Sequence, residues 1–277
     1  MECKIRNIVI SYEIIGEGKP IILLHGYAFD HRVMIGCMEP ILSEDNHYKR
    51  VYMDLPGMGK SESSDWITNS DSMLTIVIDF INEIIPNENF LLAGESYGGY
   101  LSRGIIYHMA DRIEGALFIC PVIIADNNKR NLPKHKVLVK DTKLLSEISQ
   151  EEASDFNQTA VVQSEITFER YQNEIISGFQ MADHTFLNCL KENGYEFSFN
   201  VDKVNQIFDK PALFLLGRQD SSVGYKDAWN ILDNFSRATF AVLDLAGHNL
   251  QIEQEALFNS FVKEWLNRVE ENGIISK

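Results

Sequence analysis

Short, unbroken apolar runs recur along the chain, and each is stopped by a small or polar residue. They are PIILLHG (20–26), RVYMDLPG (50–57), NFLLAGES (89–96), GALFICPV (115–122), PALFLLGRQD (211–220) and TFAVLDLAGH (239–248). A continuous run, as opposed to an alternating one, suits a strand buried on both faces. Ahead of them, KIRNIVISYEIIGEGKP (4–20) reads as two strands joined by a turn. Helical spacing lies between many of the runs. SMLTIVIDFINEII (72–85), with Ser and Asp before it as caps, YLSRGIIYHMADRI (100–113) and EALFNSFVKEWLNRVEEN (255–272) are the clearest cases. Strands that alternate with helices predict an α/β fold with a mainly parallel sheet.

The alternation breaks once. From Val122 to Lys210 there is no strong buried-strand run, yet spaced apolar residues persist in SEITFERYQNEIISGFQ (164–180) and HTFLNCLKENG (184–194). This pattern predicts a helical insertion over 122–210, with residues 1–121 and 211–277 forming one core.

Composition narrows the functional classes. The 277 residues carry a formal net charge of −15, from 25 basic and 40 acidic side chains. That balance disfavours nucleic acid and anionic membranes as partners, because both reward clustered Lys and Arg. Cys3, Cys37, Cys120 and Cys189 are scattered, with no CxxC and no His/Cys pair at ligand spacing, so the sequence offers zinc no site. The start, MECKIRNIVI, is charged early and is not expected to be a signal peptide. No run reaches the ~18–20 apolar residues of a membrane span, so a cytoplasmic protein is expected.

The candidate chemistry centres on Gly94-Glu95-Ser96-Tyr97-Gly98, a G-x-S-x-G between a predicted strand and a predicted helix. On such a tight turn the serine hydroxyl is pushed outward, and a side chain at Gly94 or Gly98 would collide as the helix folds back. A serine needs a base, and the base needs an orienting carboxylate. Asp220 and His248 follow in the expected order, each at the end of a later strand. Strand C-termini gather at one edge of a parallel sheet, so the three side chains can converge. Asp126, after the sixth strand, is the other position for the acid; Asp244 is expected to point elsewhere, and Asp54 to tie its own loop. Glu95, adjacent on the turn, is expected to face away from the site, and His25 to shape its loop. The backbone N–H groups of Tyr27 and Tyr97 are the candidate oxyanion donors.

Taken together, HGYAFD, DLPGMGKSE, GESYGG, GRQD and AGHNLQIE resemble the α/β-hydrolase superfamily, in its capped, esterase-like branch, from about residue 20 to 265 apart from the insertion. The resemblance implies a mostly parallel eight-stranded sheet flanked by helices, a helical cap after strand six, and a serine hydrolase that needs no cofactor. Its implied substrate is a small acyl compound, bound under the cap with Phe156, Phe168, Tyr171, Phe179 and Phe186 as candidate lining residues. A serine at position 96 argues against haloalkane dehalogenase and epoxide hydrolase chemistry, which place aspartate there. The run from His248 to Glu253 is similar to one in carbon–carbon bond hydrolases, although Asn249 stands where those carry Trp. A lactonase, an aminopeptidase of the same fold, or a ligand receptor that keeps the triad remain alternatives. The expected assembly is a monomer or a homodimer.

Overall fold

The computed structural model describes residues 1–43, 47–203 and 206–275. It contains an eight-stranded sheet in the order β1-β2-β4-β3-β5-β6-β7-β8. The strands are β1 (Glu2–Ile5), β2 (Ile8–Ile15), β3 (Lys19–Leu24), β4 (Tyr48–Met53), β5 (Phe90–Glu95), β6 (Ile113–Ile119), β7 (Ala212–Gly217) and β8 (Ala238–Leu243). β1 and β2 pair antiparallel with each other, and β2 antiparallel with β4; every other pairing is parallel. All six residues of β5 and of β7 are buried, as continuous apolar runs predict. The register puts Phe118 opposite Phe214, with stacked rings 4.4 Å apart.

Helices α1 (Arg32–Leu42), α2 (Ser70–Ile84) and α3 (Tyr97–Met109) alternate with the first strands. α1 escapes a reading by pattern because Pro40 lies inside it, near its end. The α2 cap is Asn69, not the serine and aspartate expected; the Asn69 side chain and Ser72 form a reciprocal capping box, with Ser70 and Asp71 already helical.

Between β6 and β7 the described residues form short helices: a 3-10 turn at Asn127–Lys129, α4 (Thr142–Glu147), α5 (Gln150–Thr159), α6 (Glu165–Arg170), a π-helical turn at Tyr171–Ile176, α7 (Ser177–Met181) and α8 (His184–Gly194). After β7 come α9 (Lys226–Trp229), α10 (Leu250–Glu253) and α11 (Glu255–Ile275). α11 lies against α1 and buries Phe258, Val262, Trp265 and Val269. The Trp265 indole donates to the Pro211 carbonyl at 3.1 Å, which fixes this helix to the entry of β7. Among the described residues no helix is long and apolar enough to cross a membrane.

The strand order decides where chemistry can occur. β3 and β5 are neighbours, with Leu24 opposite Gly94, so the loop after β3 lies beside the turn after β5. The sequence direction of the sheet reverses at β3, and the crevice at the carboxyl ends of such strands is where ligands bind.

Candidate active site

Ser96 sits between β5 and α3 with φ +51° and ψ −110°, a conformation that costs a non-glycine residue strain. The glycines around it explain how the turn closes. A Cβ on Gly98 would stand 2.2 Å from the Leu24 carbonyl oxygen, and a Cβ on Gly94 would stand 2.5 Å from the Gly98 backbone. The collision at Gly98 is therefore with the end of β3, not with the nucleophile's own strand. The backbone of Ser96 is tied on both sides: its N–H donates to Ile119 O, and its carbonyl accepts from Tyr100 N and Val122 N.

Two further loops deliver the partners. Asp220, after β7, is fully buried, and its Oδ1 accepts from the N–H groups of Ser222 and Val223 at 2.8 and 3.0 Å. Its Oδ2 lies 2.9 Å from His248 Nδ1. His248, after β8, places Nε2 2.9 Å from Ser96 Oγ. Burial raises the Asp220 carboxyl, but His248 and the two amides outweigh it and hold it below the ordinary range. Burial alone would lower His248; Asp220 and then Glu95 overcome it and push the imidazole up to about 9.

The alternative acids lie elsewhere. Asp244 is exposed and accepts from Gln219 Nε2 at 2.7 Å. The Asp126 side chain accepts from Asn128 N and faces Lys129 at 3.4 Å. Asp54 accepts from His31 and from Lys60 N within its own loop. His25 accepts from Leu55 N at Nε2, so its Nδ1–H donates to Gly26 O, and the ring braces the loop as a neutral buried group.

Tyr27 and Tyr97 meet edge to face with centroids 5.6 Å apart. The Tyr27 hydroxyl donates to the Leu187 carbonyl in α8, and Tyr97 bonds Ser70 at 2.8 Å. Neither backbone amide has an acceptor among the described residues.

Glu95 contradicts the expectation that it faces away. It is buried, and its Oε1 lies 3.6 Å from His248 Nε2. The absence of a side chain on Gly26 is what admits it, since a Cβ there would stand 2.2 Å from Glu95 Oε2.

Two cavities flank His248. The larger, about 700 Å³, reaches Ser96 and is lined by Tyr27, Phe29, Val122, Arg130, Tyr195 and Val223 among others. The second, about 410 Å³, is bounded by Phe29, Tyr171, Ile175, Ile176, Phe179 and Asn249. Of the five aromatic residues expected to line a pocket, only Tyr171 and Phe179 do so. Phe156 is buried against Phe168 and Tyr171, with centroids 5.2 and 5.3 Å away, and Phe186 packs over Gly57. Phe156, Phe168 and Phe186 line neither cavity. Tyr195 and Arg130 went unmarked in the sequence because neither lies in an amphipathic pattern. Arg130 is placed by donating to the carbonyls of Ile124, Ala125 and Ser222.

The Glu253 carboxylate joins the insertion to the histidine loop. It accepts from Val161 N at 2.6 Å, Val162 N at 3.2 Å and Gly247 N at 2.5 Å. Glu253→Ala leaves these largely buried donors unmatched, at roughly 1–3 kcal/mol each. Denaturant unfolding is expected to show a loss of roughly 3–9 kcal/mol on that basis, and an unchanged midpoint would refute the bracing role.

Among the described residues, two groups of side chains bring metal-ligand atoms within 4.8 Å of one another: Cys120, Asp220 and His248, and Asp30, His31 and Asp54. Neither suits a resident ion. Burial pushes the Cys120 thiol well up, away from the thiolate a metal needs, and both His248 nitrogens already have partners. In the other group Asp30 holds Arg32, and His31 Nδ1 lies 2.7 Å from Asp54.

Comparison with known proteins gives a consistent set of likenesses. A family model described as the alpha/beta hydrolase fold matches residues 19–255. A pimeloyl-[acyl-carrier protein] methyl ester esterase of Aeromonas salmonicida is 26% identical over 152 residues, 54% of each chain. An AB hydrolase superfamily protein of Bacillus subtilis is 32% identical over 114 residues, 40% of this chain and 38% of that one. These matches span about half or less of the curated relatives' length. Among solved structures, an alpha/beta superfamily hydrolase from Oenococcus oeni is 35% identical with a TM-score of 0.87, covering 98% of this chain and 99% of that one. A thermophilic esterase from Thermogutta terrifontis, malate bound, has a TM-score of 0.65 at 20% identity, covering 95% and 94%.

Proposed function

We propose that this chain, which belongs to the alpha/beta hydrolase fold family, cleaves small carboxylic esters through an acyl-enzyme on Ser96. The observation that carries the reading is the hydrogen-bonded line from Ser96 Oγ through both nitrogens of His248 to a fully buried Asp220. The esterases among its relatives and structural neighbours support the same chemistry.

In this mechanism His248 Nε2 takes the hydroxyl proton as Oγ attacks the ester carbonyl. The carbonyl oxygen gains negative charge between the amides of Tyr27 and Tyr97, which lie at the ends of neighbouring strands. Collapse of the tetrahedral intermediate expels the alcohol, which takes the proton from His248. Water then attacks the acyl carbon by the same route in reverse, and Ser96 is released. Neither half-reaction calls for a metal or an organic cofactor.

The helices between β6 and β7 act as a cap over the two cavities. The cavity with Ile175, Ile176 and Phe179 suits a short apolar limb of the substrate, and the one with Arg130 and Tyr195 a more polar limb. The test is turnover of p-nitrophenyl acetate together with labelling by a fluorophosphonate, read by mass spectrometry of the peptide that holds Ser96. Labelling at Ser96 with turnover supports the reading; neither would leave a ligand receptor in its place.

The pH dependence follows from His248. Only the neutral imidazole can accept the serine proton, and its raised value keeps it charged at neutral pH. kcat/KM is therefore expected to climb through neutral pH, to reach half its maximum near pH 9 and to level only above it, not near the 6.5 of an unperturbed histidine.

A further inference from the structure

The mechanism above makes no use of the ionisable group beside its nucleophile. Glu95 ends β5 directly before Ser96, is 1% exposed, and has an Oε2 with no hydrogen-bond partner among the described residues. A buried carboxyl with an unmatched oxygen is costly, and a strand residue in this core could have been apolar. The surroundings are nevertheless shaped to hold it. Gly26, in the loop that carries the Tyr27 amide, lacks the side chain that would collide with Oε2. Oε1 lies 3.6 Å from the His248 nitrogen that faces Ser96.

We infer that Glu95 is a positioning residue, a second carboxylate that stabilises the His248 imidazolium from its Nε2 side while Asp220 does so from Nδ1. The inference rests on the reading of Ser96 as nucleophile and His248 as base. As the Oγ–carbon bond forms, the serine proton moves to Nε2, and the carbonyl π pair moves onto oxygen. The ring then carries a full positive charge in a buried setting, where one carboxylate at each side lowers its energy. When the tetrahedral intermediate collapses, the Nε2 proton passes to the leaving oxygen. Glu95 exchanges no proton in the step and touches no substrate atom.

The groups that act on Glu95 are few. Burial raises its carboxyl, His248 lowers it, Asp220 raises it, and the Gly26 amide lowers it, leaving it at about 7. The Cys37 thiol in α1 and the Cys120 thiol after β6 feel its charge, and both are held protonated by burial. Arg130 acts on His248 in the opposite sense to Glu95. Glu95 is thus half ionised near neutrality and adds its charge to the site over the range in which His248 titrates.

The experiment compares kcat/KM against pH for the wild type and Glu95→Gln with p-nitrophenyl acetate. The isosteric amide removes the charge and keeps the volume. The acidic limb is expected to move down by about one pH unit, the effect of removing a charge at this range. The plateau is expected to fall roughly tenfold, through kcat and not KM. Acidic limbs that coincide overturn the inference and leave the hydrolase reading intact. A ring titration in histidine-labelled wild type, followed by NMR, serves where the variant does not fold or the wild type shows no turnover. His248 is expected to show a second inflection near pH 7, from Glu95. A single inflection overturns the coupling, while absent turnover overturns the hydrolase reading separately.

Discussion

Ser96→Ala is expected to lower turnover of p-nitrophenyl acetate by about 10⁴–10⁶-fold and to abolish fluorophosphonate labelling. The size of the effect follows from what the hydroxyl does. In the proposed mechanism it supplies the atom that attacks a carbonyl held between the Tyr27 and Tyr97 amides, and it is the group to which His248 Nε2 is hydrogen-bonded at 2.9 Å. Without it, His248 and Asp220 have no nucleophile to activate, and only binding and the oxyanion donors remain. The fold is expected to survive. Ser96 is held by its backbone, through Ile119 O, Tyr100 N and Val122 N, and none of these bonds uses the side chain. Alanine inherits the same strained φ of +51°, so thermal unfolding should move little. Circular dichroism and a melting curve separate this outcome from loss of structure. Retained turnover in Ser96→Ala, at a rate above a few per cent, would remove the acyl-enzyme mechanism.

Much of this site was legible in the chain because its geometry is written in strand ends. The runs 89–96, 211–220 and 239–248 each close on a residue that the fold carries to one edge of the sheet. Ser96 and His248 can be named from motif, order and strand-end position, whereas Asp126 fits the order as well as Asp220, and only the 2.9 Å contact to His248 separates the two. The rest depends on which way a side chain turns, and periodicity in short helices does not settle that. Phe156 lies in α5 and Phe179 in α7, both short helical pieces of the insertion. One is buried in an aromatic cluster, whereas the other is half exposed beside the second cavity. Glu95 is the sharper case. Its direction is decided by an empty space at Gly26, far away in sequence, and no local rule reports that space. Arg130 and Tyr195 fall in stretches without amphipathic pattern, and tertiary hydrogen bonds and ring contacts bring them to the cavity.

Asp220→Asn is expected to lower kcat by about 10⁴-fold, the loss seen when the acid of such a triad becomes an amide. The hydrogen bonds around Asp220 force the reason. Oδ1 accepts from two backbone donors, Ser222 N and Val223 N, so the amide oxygen of an asparagine must take that place. Its NH₂ group is then directed at His248 Nδ1, which must turn from donor into acceptor. The ring proton moves to Nε2, and the nitrogen that should receive the serine proton already carries one. The negative charge that stabilises the imidazolium is lost at the same time. Asp244→Asn and Asp126→Asn provide the contrast, because Asp244 is exposed on Gln219 and Asp126 is held by Asn128 and Lys129. Both should retain activity within a few-fold, with the fold unchanged by circular dichroism. A collapse in Asp244→Asn or Asp126→Asn while Asp220→Asn stays active would move the acid elsewhere. It would also require His248 to turn away from the 2.9 Å contact on which the mechanism depends.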